Sequence, residues 1–432
     1  MRMRAGLAAL MLASCASYQP KPLDLAPVPL VDGAAITGRQ VPWTMEEIAA
    51  LAVAHDPDLV AARAARGADE ASILAAGILP NPSLSLSDAF VLSGPGAVAA
   101  WSVGISQDVK SLLTYRSRQV AAKAGVRQAD ADLVWQEWQV IGLARLLVVD
   151  LVEGARLRGE LAGLQVRLEE RLARSRAGLA EGQQTVADVA TDLAAASDGA
   201  GTLADLDRKL AGERHDLALL LGLPPDAGVR LAGNLAVPEV SEAEIGALRE
   251  GIADRRPDLI ALRFGYQAQD ATLRGQILAQ FPALALGLTR AKDNTGVQSV
   301  GPDVTMDLPI FDRNQGGVAV ARATREQLYA EFEARLAAAR SQIVALADDQ
   351  DRLWAELARA RADRAALGAV SDGVDRALRA GDLDERAAVE QLAAQSARAQ
   401  AVILTEQSLL EQQVALATLT GAGMPAVKME LP

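Results

Sequence analysis

The chain has 432 residues, so its length does not limit the size of a hydrophobic core, and its net charge of −12 argues against binding to nucleic acid or to an anionic lipid surface. Half of its residues are hydrophobic but only 3% are aromatic. This composition, rich in alanine and leucine, predicts long helices rather than a mainly β fold.

The N-terminus, residues 1–14, is predicted to be a targeting segment. It carries Arg2 and Arg4, followed by an apolar stretch at 6–13 that is too short to span a bilayer. The sequence Leu12-Ala13-Ser14-Cys15 resembles the lipobox of bacterial lipoproteins, which predicts that Cys15 is lipidated and becomes the new N-terminus. A chance cysteine in a plain secretory signal is the alternative.

The chain then contains an internal repeat with an offset of about 200 residues. Pro57–Arg63 has the same pattern as Pro257–Arg263, and Pro82–Leu86 matches Pro282–Leu286. The predicted units are a proline-rich extended arm at 15–42, a first repeat at 43–224, a linker at 225–240, a second repeat at 241–425 and a tail at 426–432.

Each repeat is predicted to run helix, strand, strand, long helix, turn, long helix. The predicted helices are 44–77, 117–177 and 185–221 in the first repeat, and 242–279, 316–378 and 384–420 in the second. Apolar residues recur at a spacing near seven on the long helices, for example Val402, Leu409 and Leu416. Such rows require partner helices that supercoil around them.

Four strands are predicted at 83–91, 99–109, 283–290 and 300–310 because large apolar residues alternate with small or polar ones. Their length suffices to cross a bilayer when tilted. The residues predicted to face lipid are Leu84, Leu86, Leu284, Leu286, Leu288, Met306 and Leu308. Because four strands cannot close a barrel and every strand edge in lipid must be paired, several chains must contribute. A free-standing coiled-coil rod would not explain strands inserted at matched places.

The residues give little support to an enzyme or a metal site. His55 and His215 lie on different predicted helices and belong to no metal-ligand spacing. The acidic residues Asp348, Asp349 and Asp351 are interpreted as a solvated helix face, with a cation-attracting lumen as the alternative. No catalytic residue, metal ligand or cofactor is predicted.

Nearly the whole chain, from Trp43 to Gly421, resembles the TolC-type outer-membrane efflux channels. The resemblance is carried by the paired Pro-Asp-Leu-x-Ala-x-Arg segments, by Pro80-Asn81-Pro82, and by the sequence LPIFDRNQG at 308–316. The last two look most like the CzcC-like and CusC-like heavy-metal efflux branch. The resemblance implies a mainly α fold with a transmembrane β-barrel portion. Three protomers would form a twelve-stranded barrel above a periplasmic α-helical tunnel.

The resemblance also implies partners and contact residues. The tunnel would meet a periplasmic adaptor and an inner-membrane pump of the resistance-nodulation-division type. The tips that touch the adaptor would include Gly178, Leu179, Gly381 and Leu383, and Glu390 would belong to an acidic ring at the entrance. Other positions that lock the entrance in the family's best-known member are not matched, since this chain has Gln184 and Leu378 near the corresponding places.

The predicted function is therefore a passive outer-membrane exit duct of a tripartite efflux system, with heavy-metal cations among the candidate substrates. A lipid-anchored periplasmic coiled-coil adaptor or scaffold is the alternative. A soluble hydrolase is a distant third, because no catalytic pattern supports it.

Overall fold

The computed structural model describes residues 19–23, 33–90, 92–93, 98–233, 235, 241–380 and 385–423, without the side chains of 34–35, 369–380, 385–386 and 388. Cys15, Gly381 and Leu383 lie outside this part of the chain. The elements of the first half are α1 (Gly33–Thr37), α2 (Met45–His55), α3 (Pro57–Gly77), β1 (Ser83–Ala89), β2 (Ala100–Asp108), α4 (Lys110–Ala180) and α5 (Val186–Leu220). Those of the second half are α6 (Glu242–Arg249), α7 (Ile252–Arg255), α8 (Pro257–Leu278), β3 (Leu284–Lys292), β4 (Gln298–Met306), α9 (Gln315–Ala380) and α10 (Glu385–Thr420).

The four strands form one antiparallel sheet in the order β1-β2-β3-β4. The pairing of β2 with β3 joins the two repeats. Within the protomer, β1 and β4 are the edge strands, so each has one side without a partner strand among the described residues.

The β1–β2 and β3–β4 turns lie at one end of the sheet, and the long helices begin at its other end. Helix α4 has 71 residues and α9 has 66, which at 1.5 Å per residue gives lengths of about 100 Å. Near the sheet the helices lie side by side in the order α3-α4-α8-α9, and further away α4 pairs with α5 and α9 with α10. Among the described residues, no helix is both long and apolar enough to cross a bilayer.

The largest core lies where α2, α4 and α5 meet. Ile48, Val148, Leu210 and Leu221 are almost completely buried there. Residues of the predicted linker pack against this core, because the N–H of Trp43 donates to the Arg230 carbonyl and the N–H of Ala232 donates to the Trp43 carbonyl, both at 2.8 Å.

Helices α9 and α10 are held together by buried apolar side chains. Val402 and Leu409 of α10 pack on Leu357 of α9, and the three side chains are at most 3% exposed. The predicted apolar row on α10 is therefore confirmed as a buried helix–helix seam.

The helix that precedes each strand pair was predicted as continuous, and this was wrong. The first breaks between α2 and α3 at Asp56-Pro57, where Pro57 has no N–H for the helix and the Asp56 carboxylate caps the N–H of Leu59 at 2.8 Å. The second is divided into α6, α7 and α8, with Pro257 again at the first position of a helix.

The start of α4 was also predicted wrongly, at residue 117. The helix begins at Lys110, directly after β2, because the Asp108 carboxylate accepts hydrogen bonds from the N–H groups of Lys110 and Ser111 at 2.9 and 3.2 Å. Strand and long helix are therefore joined by a single residue, Val109.

The fourth strand covers Gln298–Met306 rather than 300–310. Leu308, predicted as a strand residue, lies beyond its end. The reason is Pro309, which cannot donate to a strand ladder and restricts the residue before it. The chain turns tightly here, with the N–H of Ile310 donating to the Leu308 carbonyl at 2.8 Å.

Candidate functional site

The pairing register of the sheet collects the large apolar side chains on one face, which we call the apolar face. Directly paired residues share a face, so the row Leu84–Ile105–Leu288–Pro302 crosses all four strands. The apolar residues on this face are Leu84, Leu86, Val103, Ile105, Leu284, Leu286, Leu288, Val300, Pro302, Val304 and Met306. Of the seven residues predicted to face lipid, six lie on this face, and the seventh, Leu308, lies outside the strands.

These apolar side chains are largely uncovered within the protomer. Leu86 is 70% exposed and Val304 62%, and just beyond the sheet Leu308 is 67% and Phe311 91% exposed. A continuous apolar surface of this extent on one chain marks a contact with lipid or with another protein.

The opposite face, here called the polar face, carries only small or polar residues. One row of directly paired residues on this face is Ser83–Ser106–Gly287–Asp303. Its charged strand residues are Asp108 and Asp303, both acidic. The two faces thus differ in both size and polarity of their side chains.

At the other end of the molecule, α4 turns into α5 at the first predicted tip. Gly178 and Leu179 belong to the last turn of α4, and the chain reverses at Gly182, whose φ of +72° favours glycine. The N–H of Gln183 donates to the Gly178 carbonyl at 2.7 Å. A Cβ on Gly178 would lie 2.7 Å from Cγ of Gln184, so the glycine allows this side chain to fold over the helix end.

The tip is closed on the α5 side by a capping box. The Thr185 hydroxyl accepts from the N–H of Asp188 at 3.2 Å, and the Asp188 carboxylate accepts from the N–H of Thr185 at 3.1 Å. Gln184 has a local structural role, since its side chain packs on Gly178 and accepts from the Ser175 hydroxyl at 3.4 Å.

Of the second tip the structure describes the flanking helices. Glu390 lies on α10, five residues after the helix begins, and is exposed. Its place in an acidic entrance ring stays a prediction.

Sequence reasoning missed a cluster of half-buried carboxylates inside the helix bundle. Nε2 of Gln407 on α10 donates to Oδ1 of Asp150 on α4 at 2.6 Å and to Oε1 of Glu411 at 2.8 Å. Burial raises the pKa of Glu411, and its hydrogen bond with Asp150 raises that pKa further. Burial likewise raises the pKa of Glu153, whose side chain is 1% exposed beside the Arg156 guanidinium. Only the packing of α4 against α10 brings Asp150 to Gln407 and Glu411.

The contact between the two repeats contains a buried ion pair that the sequence did not reveal. Arg256 and Asp258 are joined by two hydrogen bonds, of 2.7 and 3.0 Å, and the guanidinium carbon lies 4.8 Å from the centre of the Trp135 ring on α4. Arg335 of α9 approaches Asp258 to 3.8 Å. This cluster holds α8 between α4 and α9.

The long paired helices below a two-faced sheet define the fold of the TolC-type outer-membrane efflux channels, as predicted. No protein-family model and no curated protein matches the sequence.

The similar solved structures include CusC, whose structure is described in connection with transmembrane channel formation. It is 15% identical, with a TM-score of 0.68 over 95% of this chain and 100% of that one. The outer-membrane protein VceC from Vibrio cholerae is 17% identical, with a TM-score of 0.68 over 88% of this chain and 97% of that one. The outer-membrane channel OprN is 17% identical, with a TM-score of 0.70 over 95% of this chain and 99% of that one.

Proposed function

We propose that this chain is the outer-membrane channel of a tripartite efflux system. It would be a passive exit duct, and not an enzyme, for substrates that an inner-membrane transporter delivers through a periplasmic adaptor. The observation that carries the proposal is the two-faced sheet with open edges, continuous with helices of about 100 Å. The apolar face would contact outer-membrane lipid and the polar face would line the pore.

The open edges support a homotrimer. Unpaired strand edges are costly in lipid, so β1 of one protomer would pair with β4 of the next, and three copies would give twelve strands. The helix layer near the sheet ends in the same way, with α3 on one border and α9 on the other. Closure of the sheet and closure of the helix layer would thus follow from one threefold arrangement.

Cations are the substrate class that the polar face favours. Asp108 and Asp303 would contribute six carboxylates to the pore of a trimer, and the strand residues of this face include no Lys or Arg. With the CusC-like motifs at 80–82 and 308–316, this supports heavy-metal cations as a substrate to test first, against dyes and antibiotics.

The periplasmic end would bind the adaptor and, with it, a pump of the resistance-nodulation-division type. Gly178, Leu179, Gly381 and Leu383 are the proposed contact residues, and Glu390 is the proposed member of an acidic entrance ring. Lipid attached to Cys15 would anchor the chain to the membrane. Replacement of Cys15 by alanine is expected to abolish palmitate incorporation, and unchanged labelling would refute lipidation.

Planar-bilayer recording on the purified protein tests the proposal. We expect single-channel conductance, at least when the tips are destabilised, together with recovery of heat-resistant trimers from the outer membrane. Absence of conductance under both conditions would refute the channel. A monomer recovered from the periplasm would instead favour the lipid-anchored adaptor or scaffold.

A further inference from the structure

Next to the β1–β2 and β3–β4 turns, the apolar face ends in a row that is mainly polar and charged. The last paired row across the four strands is Asp88–Trp101–Lys292–Gln298. One row nearer the helices, Arg290 stands between Val103 and Val300. Two cations and a tryptophan therefore lie together at one boundary of an otherwise apolar surface.

The Arg290 side chain is directed toward this boundary. Its Nη2 donates to Oε1 of Gln298 at 2.9 Å, and its guanidinium carbon lies 6.0 Å from the centre of the Trp101 ring. Gln298 and Trp101 both belong to the last row, so the guanidinium leaves the valine row and reaches toward the hairpin end. Trp101 limits its movement on one side and Gln298 on the other.

Neither cation forms a close ion pair in the described part of the protomer, and the carboxylate of Asp293, the residue after Lys292, accepts hydrogen bonds from within its own turn instead. Arg290 and Lys292 take part in no ion pair within 4 Å among the described residues. Asp88 shares the last row but lies on β1, two strands from Lys292, which corresponds to about 10 Å at the usual strand spacing. The positive charge on this part of the surface is therefore available to an external anion.

The position of the row identifies the anion. If the apolar face meets lipid, as proposed above, this row lies at the outer membrane–water boundary, because the helices leave the sheet at its other end. Tryptophan is enriched at such boundaries, and Lys and Arg there attract lipid phosphates. We propose that Arg290 and Lys292, flanked by Trp101, bind a phosphate group of an outer-leaflet glycolipid, with one such site per protomer.

The net charge of −12 is not in conflict with this proposal. It opposes adsorption of the whole molecule to an anionic surface, whereas a lipid phosphate at this row meets the two cations at close range. Interactions beyond about 10 Å are screened at 0.1 M salt, so distant carboxylates contribute little there.

The test measures binding of diphosphoryl lipid A and of dephosphorylated lipid A to the detergent-purified full-length protein by native mass spectrometry. The test variant is Arg290→Gln with Lys292→Gln. The matched control is Lys110→Gln with Arg313→Gln, which removes the same charge at the helix end of the sheet. Lys292→Gln alone serves as a milder variant if the double variant assembles poorly.

We expect the double variant to bind diphosphoryl lipid A about 30-fold more weakly, since each surface cation contributes about fivefold. The control should bind it like the wild type, and dephosphorylated lipid A should not distinguish the proteins. Inorganic phosphate at millimolar concentration should not compete.

Unchanged affinity of the double variant, or equal loss in the control, would overturn the site while leaving an outer-membrane trimer intact. A wild-type protein that is recovered outside the membrane and binds neither lipid would instead overturn the proposed function on which the site rests.

Discussion

Replacing Leu288 by lysine tests the assignment of the two faces most directly. Leu288 lies in the row Leu84–Ile105–Leu288–Pro302 and is 54% exposed in the protomer. Lys292, at the boundary of the apolar face, is four residues further along β3, or about 14 Å. That is further than a lysine side chain extends, so an ammonium group at 288 would remain within the lipid.

The expected cost is about 2–4 kcal/mol per chain, the range for Lys or Arg at mid-bilayer on a barrel strand. In a trimer with three such positions the loss would be about 6–12 kcal/mol, enough to prevent assembly of a marginally stable protein. Thr289→Lys is the matched control, because the adjacent residue lies on the polar face and its charge would enter water.

The assay is the free energy of unfolding of the protein in lipid vesicles, with heat-resistant trimer on gels as a second readout. We expect loss of trimer for Leu288→Lys and nearly normal trimer for Thr289→Lys. Equal effects of the two substitutions, or a larger effect at Thr289, would show that the faces are assigned wrongly.

Three further predictions concern the bundle, the tip and the pore. Because the pKa of Glu411 is raised on folding, the folded chain binds this proton more tightly than the unfolded chain. The free energy of unfolding should therefore increase as the pH falls from 7 toward 5, and Glu411→Gln should remove this increase. The same pH slope in the variant would contradict the prediction. Gly182→Ala places a side chain at a φ of +72° and should cost about 1–2 kcal/mol, seen as faster hydrogen exchange at the tip, whereas Gly163→Ala, with open space around it, should be neutral or stabilising. Asp303→Asn should reduce the cation preference of the pore at low salt, measured by reversal potential, whereas Asp88→Asn on the apolar face should not; equal shifts would count against the polar face as the pore lining.

Much of the fold could be predicted because it depends on local patterns. Alternation of apolar and small residues predicts both the strands and the face of each side chain, since the period of a strand is two. The errors in the elements came from local signals that were present but not used. Pro57 and Pro257 mark helix starts, Asp108 caps α4, and Pro309 ends the ladder after Leu308.

The candidate sites also divide into those that local sequence predicts and those that only the tertiary structure forms. The turn at Gly182 and the apolar face follow from residue type and spacing. The row of Trp101 and Lys292 does not, because these residues are far apart in sequence and only the β2–β3 register makes them neighbours. The carboxylate cluster at Glu411 likewise exists only because α10 packs against α4.

The duplicated Pro-Asp-Leu motif shows what the sequence by itself determines and what it does not. Leu59 and Leu259 are both buried, at 2% and 0% exposure, as their helical position in each copy predicts. Asp58 and Asp258 are the same residue in the same motif, yet Asp58 is exposed and Asp258 is buried against Arg256. The sequence supplies the partner, because Arg256 stands where the first copy has Asp56. Burial is decided by tertiary packing, because α3 borders the layer of helices whereas α8 lies between α4 and α9, which removes water from the Asp258 carboxylate.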